Sequence, residues 1–240
     1  MTIQVKRDGD VLRLALNRPE AGNKLNEASI NALVEQFEGA DPLNGGPVVI
    51  ELSAVGPDFS LGRERPAQQS SDPLDIVAEF SRIQRLNEAV QRCRAVTIAA
   101  VRGKAEGAGL SLAGRCDIVL VAEDAVLSFP EIPHGIPPTI VLSHYKYVLP
   151  RNLIGDLIFN GREFTGRDAV QFGLAARAVP PKDLDTVAVE MSARIAGYDR
   201  RSIALVKEFL SRSEGLPAPL APTLGISLYA NEMSHRLLSK

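Results

Sequence analysis

The sequence predicts an α/β fold, a core of alternating strands and helices followed by a helical C-terminal extension. Three observations predict it. Apolar runs of strand length at 47–54, 95–101 and 116–129 are separated by segments whose apolar residues recur with helical spacing. Beyond residue 138 most of the text has the helical period. The chain has 240 residues, 45% of them apolar and 23% charged, ordinary figures for a globular protein able to bury a sizeable core.

In order, "TIQVKRDGDVLRLALN" alternates on both sides of Asp8-Gly9 and predicts a hairpin. "NEASINALVEQFEGA" sets Ile30, Leu33, Val34 and Phe37 on one helical face, with Asn26 or a neighbour as its cap. "PVVIELSA" is a short buried strand, and the Gly-, Pro- and Ser-rich stretch 55–73 is a loop expected to be mobile. "DIVAEFSRIQRLNEAVQRC" is a long amphipathic helix with Ile76, Phe80, Ile83, Leu86 and Val90 along one face. "AVTIAAV" is a strand, "RGKAEGAGLSLAG" a turn into a helix, and "CDIVLVAEDAVLSF" one or two more strands. Helices follow in "TIVLSHYKYVL", "NLIGDLIFNG" and "GRDAVQFG", then over 181–197, 201–212 and about 222–238.

Net charge is −2, from 27 basic and 29 acidic residues, and no Lys/Arg-rich run is present, so nothing points to nucleic acid. No apolar run reaches membrane-spanning length, and the first residues lack a signal-peptide core. Cys93 and Cys116, outside any metal-ligand spacing, fit a reducing compartment, and a cytoplasmic protein is expected.

The chemistry concentrates at Arg102–Gly114. Strand, glycine turn and helix build an anion site from backbone N–H groups. A dinucleotide fingerprint would need a glycine where Leu112 stands, although Glu123 and Asp124 at the next strand end could serve a ribose. A purely structural turn is the other plain reading.

Its company lifts the site above both. "RAVTIAAVRGKAEGAGLSLAGRCDIVLVAEDAVLSFPEIPHGIP" resembles the signature of the crotonase, or enoyl-CoA hydratase/isomerase, superfamily in the order and spacing of its landmarks. These include Gly103, Ala105, Gly107, Gly109, Cys116-Asp117-Ile118, Phe129-Pro130-Glu131, Gly135 and Pro137. "LNRPEAGNKLN", "DFSLGRE", "NGREFTGRDAVQFGLAARAVP" and "RSIALVKEFL" extend the resemblance over almost the whole chain.

The resemblance implies a ββα spiral core over 1–180 that carries an acyl-CoA site. It implies a helical extension over 181–240 that builds a homotrimer or hexamer. The apolar faces Leu184/Val187/Met191/Ile195 and Ile203/Val206/Leu210 fit that contact and would equally cover their own domain. By the same resemblance the backbone N–H groups of Arg63 and Ala108 form an oxyanion hole for the thioester oxygen. The Arg63 side chain is then either a solvated charge or a partner for a CoA phosphate. Hydratases of the family hold water between two glutamates. Here one is Glu131, but the position of the other is Ser111, which cannot act as a base at neutral pH.

A single carboxylate suits a proton shuttle, so double-bond isomerisation by Glu131 is favoured over hydration. Hydration, and hydrolase or lyase chemistry through Glu131 with His134 or His144, stand beside it. A non-catalytic scaffold for acyl-CoA or a protein partner is the reading of another class. Pro138, Ile140 and Val141 replace small residues usual after "GIP" and alter the pocket wall, beside which Ser111, His134, His144 and Tyr145 are substrate-pocket candidates. No metal site and no flavin or nicotinamide cofactor is expected; coenzyme A enters as part of the substrate.

Overall fold

The computed structural model describes residues 1–65, 68 and 70–238. Its frame is a six-stranded sheet in the order β1-β2-β3-β4-β6-β9. The strands are β1 (Ile3–Asp8), β2 (Val11–Leu16), β3 (Val49–Ala54), β4 (Val96–Val101), β6 (Ile118–Ala122) and β9 (Arg177–Val179). β1 and β2 form the hairpin, closed at Asp8↔Val11 with Gly9 at φ +57°, and every other neighbouring pair is parallel. Parallel strands need helical crossovers, which is why apolar runs alternate with helical segments here.

The first crossover is α1 (Glu27–Glu38), capped by Asn26, whose side chain accepts from the Ser29 N–H while the Ser29 hydroxyl accepts from the Asn26 N–H. Ile30, Leu33, Val34 and Phe37 are buried as the spacing predicts. The second, α2 (Pro73–Arg92), packs along α1 and buries Ile83, Leu86 and Val90. Ile76 and Phe80 of its expected apolar face stay half-buried, because the first turns of α2 reach past the core.

Within the glycine-rich stretch Arg102–Gly114 lies a strand the sequence concealed, β5 (Lys104–Glu106), directly before α3 (Gly107–Ala113). With β7 (Val126–Ser128) and β8 (Phe164–Thr165) it makes a small second sheet, β5-β7-β8. Strands of two or three residues show no period, so β5, β8 and β9 were not legible. The helices α4 (Thr139–Val148), α5 (Arg151–Phe159) and α6 (Gly166–Gln171) follow.

α7 (Leu184–Ala196) lies across β2, β3, β4 and β6, so the helix that opens the 181–240 segment is a layer of the core. Leu184 and Met191 are buried there and Val187 and Ile195 half-buried, which assigns that apolar face to its own sheet rather than to another subunit. α8 (Arg200–Ser213) and α9 (Ala221–Leu238) pair with each other. Val206 and Leu210 of α8 are exposed, as are Ile226, Tyr229 and Leu237 of α9. Among the described residues no helix is long and apolar enough to cross a membrane.

Candidate active site

The turn before α3, expected to form an oxyanion hole, is built from two backbone segments that meet edge to edge. Ser60 pairs with β5: its N–H donates to the Lys104 carbonyl at 3.1 Å, and its carbonyl accepts from Glu106 N–H at 2.9 Å. In a regular strand Gly62, two residues on, would face the same neighbour. Instead its carbonyl turns away and accepts from Leu25 N–H at 2.8 Å, while Glu64 N–H donates to the Leu25 carbonyl at 2.9 Å. The left-handed φ of Gly62, +86°, makes this reversal. Arg63 is the residue bridged to Leu25, and its own N–H and carbonyl face away from that bridge. A Cβ on Gly62 would lie 3.8 Å from the Ala108 nitrogen, so the Arg63 and Ala108 amides belong to one small region. Ala108 stands in the first turn of α3, where N–H groups have no acceptor inside the helix.

Side chains that the sequence reading had not given a role hold this loop in place. Asn23 is buried at φ +51°, and its amide NH2 donates to the carbonyls of Val55 and Asp58, both at 2.9 Å. Asp58 accepts from Lys104 N–H at 2.8 Å, and the Ser60 hydroxyl donates to the Asn23 carbonyl at 2.9 Å. Glu64 makes a two-pronged pair with Arg18 at 2.6 and 3.1 Å. Residues 58–64 are therefore pinned, contrary to the mobility expected of 55–73; residues 66, 67 and 69 of that loop lie outside the described residues. The one sequence signal for Asn23 was an asparagine directly after Gly22, a residue type that tolerates positive φ.

The Arg63 side chain is neither a solvated charge nor an open partner for phosphate. Its guanidinium pairs with Glu79 and lies 4.7 Å from the centroid of the Phe80 ring, which ties the loop to α2.

Glu131 follows β7 in a short turn, its carbonyl accepting from His134 and Ile136 N–H at 3.0 and 2.9 Å. Its carboxylate lies against Gly107: a Cβ there would come 2.6 Å from Oε1, so any side chain at 107 would push the carboxylate aside. Burial pushes the Glu131 carboxyl above the usual range; its own backbone N–H and His134 oppose the rise, and the charge of Glu106 adds to it. Oε2 is buried and has no hydrogen-bond partner. Ser111 is 2% exposed, and its hydroxyl oxygen is likewise unpartnered. Glu131 and the Gly62–Arg63 loop thus lie against the first residues of α3, and Ser111 is buried one turn further along the same helix.

The other candidates divide. His134 is exposed beside Glu131, its Nδ1 2.6 Å from the Pro130 carbonyl. Pro138 is buried just before α4. His144 lies near Gly114 and Arg115, at the opposite end of α3 from Ala108, and burial lowers its pKa with the Arg115 charge adding to this. The structure therefore does not bring His144 to Glu131. Tyr145 is buried, donates to the Leu110 carbonyl at 3.2 Å and packs edge-on to Phe129 at 5.0 Å, so it braces α3 from below. Among the described residues no cluster of His, Cys, Asp and Glu that could hold a metal is present.

A parallel sheet feeding a glycine turn, a second loop amide beside it and one buried carboxylate define an acyl-transfer or enolate-stabilising type of site. The family model described as enoyl-CoA hydratase/isomerase matches residues 6–233. The chain is 33% identical over 224 residues to "Probable enoyl-CoA hydratase echA8" of Mycobacterium tuberculosis, covering 90% of this chain and 85% of that protein. It is 28% identical over 216 residues to 2,3-dehydroadipyl-CoA hydratase of Escherichia coli, covering 88% and 82%. The crystal structure of an enoyl-CoA hydratase from Mycobacterium smegmatis superposes with a TM-score of 0.91 at 28% identity, over 97% of this chain and 91% of that one. The chain belongs to the enoyl-CoA hydratase/isomerase family, and its architecture is the crotonase fold.

Proposed function

We propose that this protein is an acyl-CoA enzyme that moves a double bond, converting 3-enoyl to 2-enoyl thioesters with Glu131 as the only proton carrier. The Glu131 carboxylate takes a proton from C2, and the electron pair of that C–H bond flows into the thioester to give a dienolate. Its oxygen accepts hydrogen bonds from the Arg63 and Ala108 N–H groups, each such donor being worth about 3 kcal/mol of barrier. Protonated Glu131 then returns the proton at C4 while the thioester carbonyl re-forms, leaving the double bond between C2 and C3.

The observation that carries this reading is Ser111, a buried neutral hydroxyl where a hydratase of the family would have its second carboxylate. With one carboxylate, a proton can travel between two carbons of one substrate, whereas activating water and protonating carbon together calls for a pair. The names of the relatives favour a second reading, hydration of a 2-enoyl thioester.

A panel of 2-enoyl- and 3-enoyl-CoA substrates separates the two. Formation of 2-enoyl from 3-enoyl-CoA, lost by at least 100-fold in Glu131→Gln, supports isomerisation. Formation of 3-hydroxyacyl-CoA at a comparable or greater rate makes the enzyme a hydratase. Unchanged isomerisation in Glu131→Gln removes Glu131 from the mechanism, and acyl-CoA binding without turnover across the panel leaves a scaffold.

A further inference from the structure

Glu106, the last residue of β5, is a half-buried carboxylate that its own surroundings leave idle. It stands at the N-cap position of α3, yet its side chain makes no hydrogen bond to the helix N–H groups, so its charge is not spent on capping. Among the described residues it has no ion pair and no side-chain hydrogen bond. Two connections bring it to Glu131. Gly107 follows it directly, about 3.8 Å along the backbone, and Glu131 Oε1 lies 2.6 Å from the Gly107 Cβ position. Across the small sheet, Glu106 pairs with Ser128 of β7, three residues before Glu131. Chain and sheet therefore carry two carboxylates to one corner of the site, where the charge of Glu106 opposes ionisation of Glu131.

Little else charged acts at that corner. α3 has no ionisable side chain. The Arg63 guanidinium is held by Glu79, and Arg162, behind Pro133, by Asp156. Lys104, on the same side of β5 as Glu106, is exposed. Tyr145 is buried, and burial pushes its hydroxyl up, so it stays neutral. His134, exposed one turn beyond Glu131, is the cation that offsets Glu106 there.

A carboxylate that takes a proton from carbon gains from being a stronger base, and a neighbouring anion makes it one without touching the substrate. The same anion favours the state in which Glu131 holds the proton, because protonation removes the repulsion between the pair. In double-bond migration that state lies between loss of the proton at C2 and its return at C4. We propose that Glu106 is a positioning residue that acts through Glu131: its negative charge, fixed at the start of α3, strengthens Glu131 as a base and steadies its protonated form between the two transfers. The proposal rests on the reading of Glu131 as proton carrier.

Two measurements test it. The first is carbon-13 NMR of protein labelled at the glutamate carboxyl carbons, with the Glu131 signal assigned by its absence in Glu131→Gln. Glu106→Gln should move the Glu131 titration to lower pH by about half a unit or more. His134→Gln, which removes the offsetting cation, should move it to higher pH. The second is the pH profile of 3-enoyl-CoA isomerisation. In Glu106→Gln the acid limb of kcat/KM should follow the titration downward, and the plateau kcat should fall about two- to fivefold with KM nearly unchanged. Glu106→Asp, which keeps the charge, should stay close to the unaltered protein. Circular dichroism checks that each variant folds, and Glu106→Ala repeats the test should the glutamine variant not fold. A Glu131 titration that does not move in the uncharged variants overturns the proposal, as does a rate loss without a shifted acid limb. Glu131-dependent turnover with an unmoved titration overturns this proposal alone. A moved titration in a protein that turns over no 3-enoyl-CoA removes the reaction and leaves the charge coupling standing.

Discussion

A carboxylate that takes a proton from carbon, the role we propose for Glu131, is useful only while it is ionised, and Glu131 sits where ionisation is disfavoured. Burial against Gly107 raises its pKa, with Glu106 adding to the effect. The sign is then fixed: as pH falls through this raised pKa the base is protonated and activity is lost. The acid limb of kcat/KM should therefore lie above the value of about 4.3 usual for glutamate. Glu51 shows the same burial effect without a catalytic use. It lies on the α7 side of β3, accepts from the Ser192 hydroxyl at 2.9 Å, and has Arg13 3.7 Å away. Burial raises its pKa, partly offset by Ser192 and Arg13. A carboxyl whose pKa is higher folded than unfolded contributes stability below the unfolded value, and that contribution is lost as pH rises through the folded value. Glu51→Gln should accordingly raise Tm at pH 7–8, and the gain should vanish near pH 4; a lower Tm at pH 7 would mean that the Arg13 contact outweighs burial.

At the scale of elements, polar side chains tie α8 to the sheet frame at its first residue and again at mid-helix, with Arg200 reaching Asp10 at the hairpin and Lys207 reaching Asp117. α8 is tied to the start of β6 through Lys207, whose ammonium donates to both oxygens of Asp117 at 2.7 and 2.6 Å. Asp117 Oδ2 also accepts from the N–H and hydroxyl of Thr97 on β4, at 2.8 and 2.9 Å. The Lys207 side chain is only 7% exposed, whereas Asp117 keeps 25% of its side chain in solvent and both Thr97 donors, so removing the lysine leaves a carboxylate that water still reaches. Lys207→Met should cost about 1 kcal/mol in chemical denaturation. The sequence had offered both ends of this link, in "CDI" and "RSIALVKEFL", without a reason to join them. Most long elements were legible because their apolar period is strong: α1 and the second half of α2 bury the residues the spacing selects. β5, β8 and β9 were hidden because three residues or fewer carry no period, and Ile76 and Phe80 misled because periodicity says which face is apolar but not how far the core extends.

For the molecule as a whole, the paired C-terminal helices carry a group of exposed apolar residues. Val206 and Leu210 on α8 and Ile226, Tyr229 and Leu237 on α9 stand at the surface, while the α7 face once grouped with them is inside. We propose that α8 and α9 carry the contact of a trimer or hexamer, as the resemblance implies, since a surface this apolar is costly to leave in water. Sedimentation velocity should give a species of three or six chains, and Ile226→Asp should shift it toward smaller ones. A strictly monomeric protein would remove the assembly.

The sequence by itself determined the class of fold, the order of its long elements, and the two motifs that carry Glu131 and the glycine turn. These are local properties, written in apolar period and in residues with special backbone freedom. Only the tertiary structure decided that Gly62 takes a left-handed backbone close to the Ala108 nitrogen, that the Arg63 side chain is spent on Glu79, and that His144 lies near Gly114 and Arg115 rather than at the start of α3. It also decided that the Ser111 hydroxyl and one carboxylate oxygen of Glu131 are buried without a hydrogen-bond partner among the described residues. Each depends on contacts between segments distant in the chain, and neither period nor motif encodes which side of a neighbour a group will face.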